Sequence, residues 1–317
     1  RLKGSWGLLS WRTGLDYHLS DPWMVYGSVA YAEKPGKFDT GKVGVIVNVG
    51  PPAVVQQKLL AVELNPETNL TYEIGAKGTV ADGRLVLATA AYYTDWKDIV
   101  MPRTLVADPE TGLPLDRPVG RDENIGSADV WGIEFESSYK ISDIWATNLG
   151  VSYTKSEFKN TKTASFEAFP SYAPAGDISG NSLLRQPEWM ANAGVSFELP
   201  GLGTWDPYGR ADVIYQSKVY VDNDNLGWTP EHTYVNAIVG FRNDRWAIEL
   251  WGKNLTNDDS AVAAFRDVMF NNTSDIYQTS APASSPSADV YPWRLTANHP
   301  NLRTYGLAFR MKIGALQ

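Results

Sequence analysis

"NLTYEIGAKG", residues 69–78, is the stretch that decides the fold. In an extended chain, successive side chains point to opposite faces. Tyr72, Ile74 and Ala76 then share one face, while Glu73, Gly75 and Lys77 share the other. One face is apolar and the other charged, so the two must meet different surroundings.

The same two-residue period recurs along the chain, and helical periodicity is nearly absent. "RTYGLAFRMKIG" (303–314) sets Tyr305, Leu307, Phe309, Met311 and Ile313 against Gly306, Ala308, Arg310 and Lys312. "RWAIELWGKNL" (245–255) sets Trp246, Ile248 and Leu250 against Glu249, Trp251 and Lys253. In "DVWGIEFESSYKIS" (129–142), Trp131, Ile133, Phe135 and Tyr139 oppose Glu134, Glu136 and Ser138. "WATNLGVSYTKS" (145–156) and "WRTGLDYHLS" (11–20) follow the same rule.

Short turn signals at 19–22, 80–84, 141–144, 199–203 and 242–245 alternate with long polar stretches at 37–68, 104–123, 159–186, 218–231 and 257–300. The long stretches are rich in Asp, Asn, Pro, Gly and Ser, as loops are. This rhythm predicts an all-β, antiparallel up-and-down sheet of about eleven strands, each roughly 10–18 residues long.

Composition narrows the class. The chain has 317 residues with a formal net charge of −8, which argues against a nucleic-acid binder with its basic stripe. It has no cysteine, so neither a disulfide scaffold nor a thiolate metal site is available. No segment approaches the roughly 20 apolar residues that a membrane-spanning helix needs. A membrane barrel needs no such run, because alternation keeps mean hydropathy low, here −0.28. The chain begins at Arg1 with no Met or signal-like apolar region, which predicts a processed product or a fragment.

Two arrangements accommodate the two faces. A soluble sandwich or jelly roll hides the apolar face in a core, whereas a membrane barrel turns it to lipid and its polar face to the lumen. Two features favour the barrel. Trp11, Tyr17, Trp145, Tyr153, Trp246 and Tyr305 sit near strand ends, as interfacial girdles do. The connections are also strongly asymmetric in length.

A family resemblance follows from five segments in order: "LNPETNLTYEIGAKG" (64–78), "AAYYTDWKDIVM" (90–101), "ADVWGIEFE" (128–136), "WGKNLTND" (251–258) and "LRTYGLAF" (302–309). Together they resemble the C-terminal half of a TonB-dependent outer-membrane receptor, from about Trp6 to about Ile313. The resemblance implies a transmembrane barrel of roughly 22 strands, of which about eleven lie here. It also implies a location in a Gram-negative outer membrane among its lipids. The implied activity is active uptake of a scarce ligand, most often a ferric siderophore, powered through the partner TonB. The plug and TonB box that precede the barrel in that family have no counterpart in residues 1–317, which predicts a piece of a longer receptor. The alternatives are a passive porin-like or structural barrel and a soluble carbohydrate-binding sandwich.

Motifs for catalysis are lacking: no nucleophile elbow, phosphate loop or zinc-protease helix occurs. Glu134 and Glu136 stand roughly 7 Å apart in a strand, within glycosidase range, but lumen acids paired with Lys or Arg account for them as well. "VDNDNLGW" (221–228) resembles the start of a calcium loop through Asp222, Asp224 and Gly227, yet has Leu226 and Thr233 where ligands belong. His18, His232 and His299 lie far apart in sequence. No enzyme activity, cofactor or metal is therefore expected. Arg103, Arg121, Arg185, Trp228, Arg266 and Arg294 are the candidate ligand contacts, since Arg pairs with anions and stacks on rings.

Overall fold

The computed structural model describes residues 4–39, 43–48, 54–59, 62–108, 110–161, 177–201, 203–268 and 293–313. Eleven strands run in chain order through one antiparallel sheet. They are β1 (Trp11–Ser20), β2 (Trp23–Lys34), β3 (Glu67–Val80), β4 (Leu85–Ala107), β5 (Pro114–Lys140) and β6 (Trp145–Phe158). The sheet continues with β7 (Trp189–Glu198), β8 (Asp206–Gln216), β9 (His232–Arg242), β10 (Trp246–Lys253) and β11 (Thr304–Met311). Each strand pairs with its neighbours in sequence, while β1 bonds along this path only to β2 and β11 only to β10. The result is an open, partial barrel, and no helix occurs among the described residues.

Along the middle of the sheet the register carries the alternation from strand to strand. Tyr72 lies between Val29 and Tyr93, and Ile74 lies between Gly27 and Ala91. Leu250 lies between Val239 and Leu307. These apolar side chains are uncovered: Ile74 is 67% exposed and Leu307 74%. Trp246 and Ile248 lie on the same outer face, as do Phe309 and Met311. Among the described residues, no second sheet packs on them, as a sandwich would require.

The opposite face explains the opening stretch. A Cβ on Gly75 would lie 2.5 Å from the Tyr26 ring, so only glycine lets that ring cross onto its neighbouring strand. Lys77 Nζ then stands 5.6 Å from the Tyr26 ring centroid, within cation–π range. Gly306 makes room for Trp251 in the same way. Charged groups on this inner face pair with one another. Buried Glu249 accepts hydrogen bonds from Tyr208 and from both terminal nitrogens of Arg310, one of them at 2.7 Å. Arg210 holds Asp212 at 2.9 Å and Asn148 at 2.8 Å.

The structure corrects two expectations. Residues 104–123 are not a long loop: β4 and β5 continue as a hairpin of 23 and 27 residues that closes between Ala107 and Pro114. Register shifts at Trp96–Ile99, Ile99–Val100 and Leu105–Ala107 end the barrel's strict alternation there. Strand lengths accordingly run from 8 residues in β10 and β11 to 27 in β5, beyond the expected range. The polar stretch 37–68 also holds two short ladders, Lys37–Asp39 with Val62–Leu64 and Val43–Asn48 with Val54–Leu59.

The most deeply buried apolar cluster sits beyond the barrel wall, where β4, β5 and β6 overrun it. Ile99, Met101, Ala128, Phe158 and Ile178 bury one another, with Trp96, Ile125 and Leu183 packed around them.

Candidate ligand-binding site

Tight turns close β1–β2, β3–β4, β5–β6, β7–β8 and β9–β10 at one end of the sheet, so the long connections gather at the other. There, asparagine side chains tie the segments together. Ser182 N–H donates to Asn225 Oδ1 at 2.8 Å, and Asn225 Nδ2 donates back to the Ser182 carbonyl at 3.0 Å. Asn181 Nδ2 donates to the Asn223 carbonyl at 2.9 Å. Leu226 N–H donates to Asp222 Oδ1 at 3.0 Å and closes the turn around Asn225, whose φ is 57°. The segment that resembled a calcium loop is thus a brace between two connections. Among the described residues, no group of three or more His, Asp or Glu is placed to hold a metal ion.

"KNLTND" builds a second brace. Buried Asn254, with φ of 49°, donates to the Asp258 carbonyl at 2.8 Å and to the Asn301 carbonyl at 3.1 Å. Its Oδ1 accepts from Asp258 N–H at 3.0 Å. Asp258 Oδ2 in turn accepts from Thr233 N–H at 2.8 Å, and Asn257 Oδ1 accepts from Arg303 N–H at 3.1 Å. The motif therefore fastens the start of β9, the end of β10 and the approach to β11. Asparagine suits it because its amide both donates and accepts and its backbone tolerates positive φ. Burial pushes the Asp258 carboxyl up, but bonds from Ser260 and the Thr233 backbone, with His232 nearby, bring it below its ordinary value.

These braces frame a cavity of about 300 Å³. Arg185, Gln216, Thr229 and Asn298 supply its polar lining, with Val219 and Phe265 among the apolar walls. Val219–Tyr220 pairs with Trp228–Thr229, which packs against the ladder of Ala263–Val268 and Trp293–Asn298. The cavity thus lies where three of the long connections meet. The Arg185 backbone has φ of 60°, and its N–H donates to the Tyr220 carbonyl at 2.8 Å. Thr229 is 2% exposed, and its Oγ1 has no hydrogen-bond partner among the described residues.

Of the six residues that the sequence pointed to, Arg185 lines this cavity. Trp228 is exposed on the strand that carries Thr229. Arg266 and Arg294 stand on the adjoining ladder, opposite Leu295 and Asp267, with side chains outside the described residues. Arg103 and Arg121 face each other in the β4–β5 hairpin, away from the cavity lining. The side chain of Arg103 is outside the described residues, and Arg121 is held by Glu123, donating through Nε at 2.7 Å. Gln216, Thr229, Phe265 and Asn298 were not among the six. A neutral residue in a polar loop carries no local signal of the cavity it will line.

Comparison with known proteins adds the lineage. Residues 2–255 match the family described as TonB dependent receptor-like, beta-barrel. The pesticin receptor of Yersinia pestis is 28% identical over 144 residues, covering 45% of this chain and 18% of its own length. The probable TonB-dependent siderophore receptor PiuA of Acinetobacter baumannii is 26% identical over 179 residues, covering 56% of this chain and 21% of its own. In structure, the ferric yersiniabactin uptake receptor FyuA of Yersinia pestis superposes with a TM-score of 0.62 at 20% identity. That match covers 95% of this chain and 36% of FyuA, so the chain spans only part of the proteins it resembles.

Proposed function

We propose that this chain, which belongs to the TonB dependent receptor-like β-barrel family, forms part of the wall and binding mouth of an outer-membrane importer. In this reading the apolar face meets outer-membrane lipid, the short turns face the periplasm and the cavity end faces the medium. The cargo is a scarce ligand of ferric-siderophore type, and TonB supplies the energy through a plug contributed by another part of the receptor. The observation that carries the reading is the reversed polarity of the sheet: Ile74, Leu250, Leu307 and Phe309 are uncovered, while Glu249 is buried in an ion pair on the inner face. Lipid outside and an aqueous interior satisfy both faces at once. The named roles of FyuA and PiuA point to the cargo class.

The test is accumulation of radioactive ferric chelates by cells that carry the intact receptor, with and without TonB. The expected result is uptake that requires both. Uptake that persists without TonB would point instead to a passive porin-like barrel. Recovery of the protein in the aqueous phase after detergent partitioning would point to a soluble sandwich.

A further inference from the structure

We propose that the cavity under Arg185 receives an anionic aryl group of the ligand, a phenolate, catecholate or aryl carboxylate, and so selects among iron chelates. This rests on the importer reading and adds to it a chemical class of cargo. Three properties of the cavity converge on that class.

The first is charge. Arg185 is exposed on the lining, and its guanidinium makes no hydrogen bond or ion pair with any described residue. Among the described residues, no Asp, Glu or Lys lines the cavity with it. Its planar fork of donors is therefore available to a pair of anionic oxygens, a geometry that Arg meets and Lys does not. The backbone holds it at φ of 60°, a conformation that is uncommon for a residue with a Cβ. The bond from its N–H to Tyr220 fixes that conformation and the direction in which the side chain leaves the chain.

The second is an unmet hydroxyl. Thr229 is buried almost completely, and its Oγ1 has no hydrogen-bond partner among the described residues. A buried polar atom without a partner is rare and unfavourable, so a ligand oxygen or a water would be held there. Gln216 and Asn298 add further polar side chains to the lining.

The third is shape. Val219 and the half-exposed Phe265 ring give the same cavity an apolar lining beside its polar groups. A flat ring bearing oxygens at one edge suits a lining of both kinds, and the cavity's volume of about 300 Å³ accommodates it. A neutral hydroxamate chelate, which carries no aryl ring and no net negative charge, would leave Arg185 unpaired and the apolar wall wet.

The experiment measures equilibrium binding to the intact receptor in detergent. The probes are ferric 2,3-dihydroxybenzoate and a neutral ferric trihydroxamate, and the variants are Arg185→Ala, Arg185→Lys and Thr229→Val. Retention of heat-modifiable gel migration checks that each variant is folded. The expected result is a preference of the wild type for the aryl chelate. Arg185→Ala should weaken that chelate by about tenfold or more, as loss of a charge-assisted bond does, with the hydroxamate unaffected. Arg185→Lys should recover part of the loss, and Thr229→Val should weaken the aryl chelate by a few-fold. Equal binding of both probes, or aryl binding indifferent to Arg185→Ala, overturns the selectivity while leaving the importer reading intact. A wild type that binds neither probe, in cells that take up no ferric chelate, overturns both.

Discussion

β4 and β5 pass through two regions that treat the same kind of residue in opposite ways. In the barrel wall Trp131, Ile133 and Phe135 stand exposed on the outer face. Farther along the same two strands, Ile99, Met101, Leu105 and Val119 are buried, with Ile99 at 6% and Met101 at 4% exposure. Both stretches carry large apolar residues; in the importer reading, what changes is the medium outside. If the wall meets lipid, as proposed, apolar side chains lose nothing by facing outward. In the same reading the hairpin rises into water, where the hydrophobic effect applies in its usual direction: Ile99 and Met101 pack with Phe158 and Ile178, and Leu105 packs with Val119. Burial of one such side chain contributes roughly 1.5–3 kcal/mol, so the cluster is what fixes the overrun of β4, β5 and β6.

This contrast can be broken most strongly in the overrun. Phe158→Ala removes the aromatic centre of the cluster and should cost about 3–5 kcal/mol of local stability. Proteolysis in the β4–β5 hairpin should accelerate while the barrel keeps its heat-modifiable migration. If the two fail together, the regions are a single cooperative unit and the contrast drawn here is wrong.

The wall should respond to the opposite chemistry. Leu250→Arg places a charge between Val239 and Leu307 on the outer face and should cost about 2–4 kcal/mol if the site lies near the bilayer midplane. Refolding the intact receptor into lipid vesicles across a urea series measures it. A neutral outcome would mean that this face does not contact lipid.

Period-two patterning made the wall legible in the sequence, because each strand there presents an apolar and a polar face by turns. "NLTYEIGAKG" yields its register, its faces and the reason for Gly75 once Tyr26 is seen above it. The β4–β5 overrun was hidden because a hairpin in water, interrupted by bulges, need not alternate strictly. Its Pro, Asp and Gly residues therefore read as a loop. The proposed site was legible only where charge is conspicuous, at Arg185, whereas Thr229 and Gln216 join the cavity through neighbours far away in sequence. The sequence could likewise show "KNLTND" as a landmark, but not that Asn254 spends its amide on Asp258 and Asn301.

The inner face offers a smaller test. Arg310→Met leaves Glu249, 3% exposed, with Tyr208 as its remaining side-chain partner. The unpaired carboxylate should cost roughly 1–3 kcal/mol, and adding Glu249→Gln should restore part of it. The same urea series reads both variants. A double variant no more stable than Arg310→Met alone would show that the pair is surface decoration rather than part of the wall.

The smallest effect concerns acidity at the brace between β9 and β10. The Asp258 carboxyl lies below its ordinary value in the folded protein, because bonds from Ser260 and the Thr233 and Ser260 N–H groups, together with nearby His232, outweigh the effect of burial. A carboxyl held low when folded contributes stability above its unfolded value of about 4, and that contribution is lost as pH falls through the lower folded value. The brace should therefore hold unchanged down to about pH 4 and loosen only in stronger acid. Hydrogen exchange at the Thr233 and Ser260 amides, whose protons Asp258 accepts, reports it directly. Asp258→Asn should raise exchange at both amides modestly at neutral pH and remove the acid-dependent loss. The barrel amides of β10, bonded strand to strand, should not respond. Acid loss of the same size in Asp258→Asn as in the wild type would assign the effect to another group and leave Asp258 a passive member of the brace.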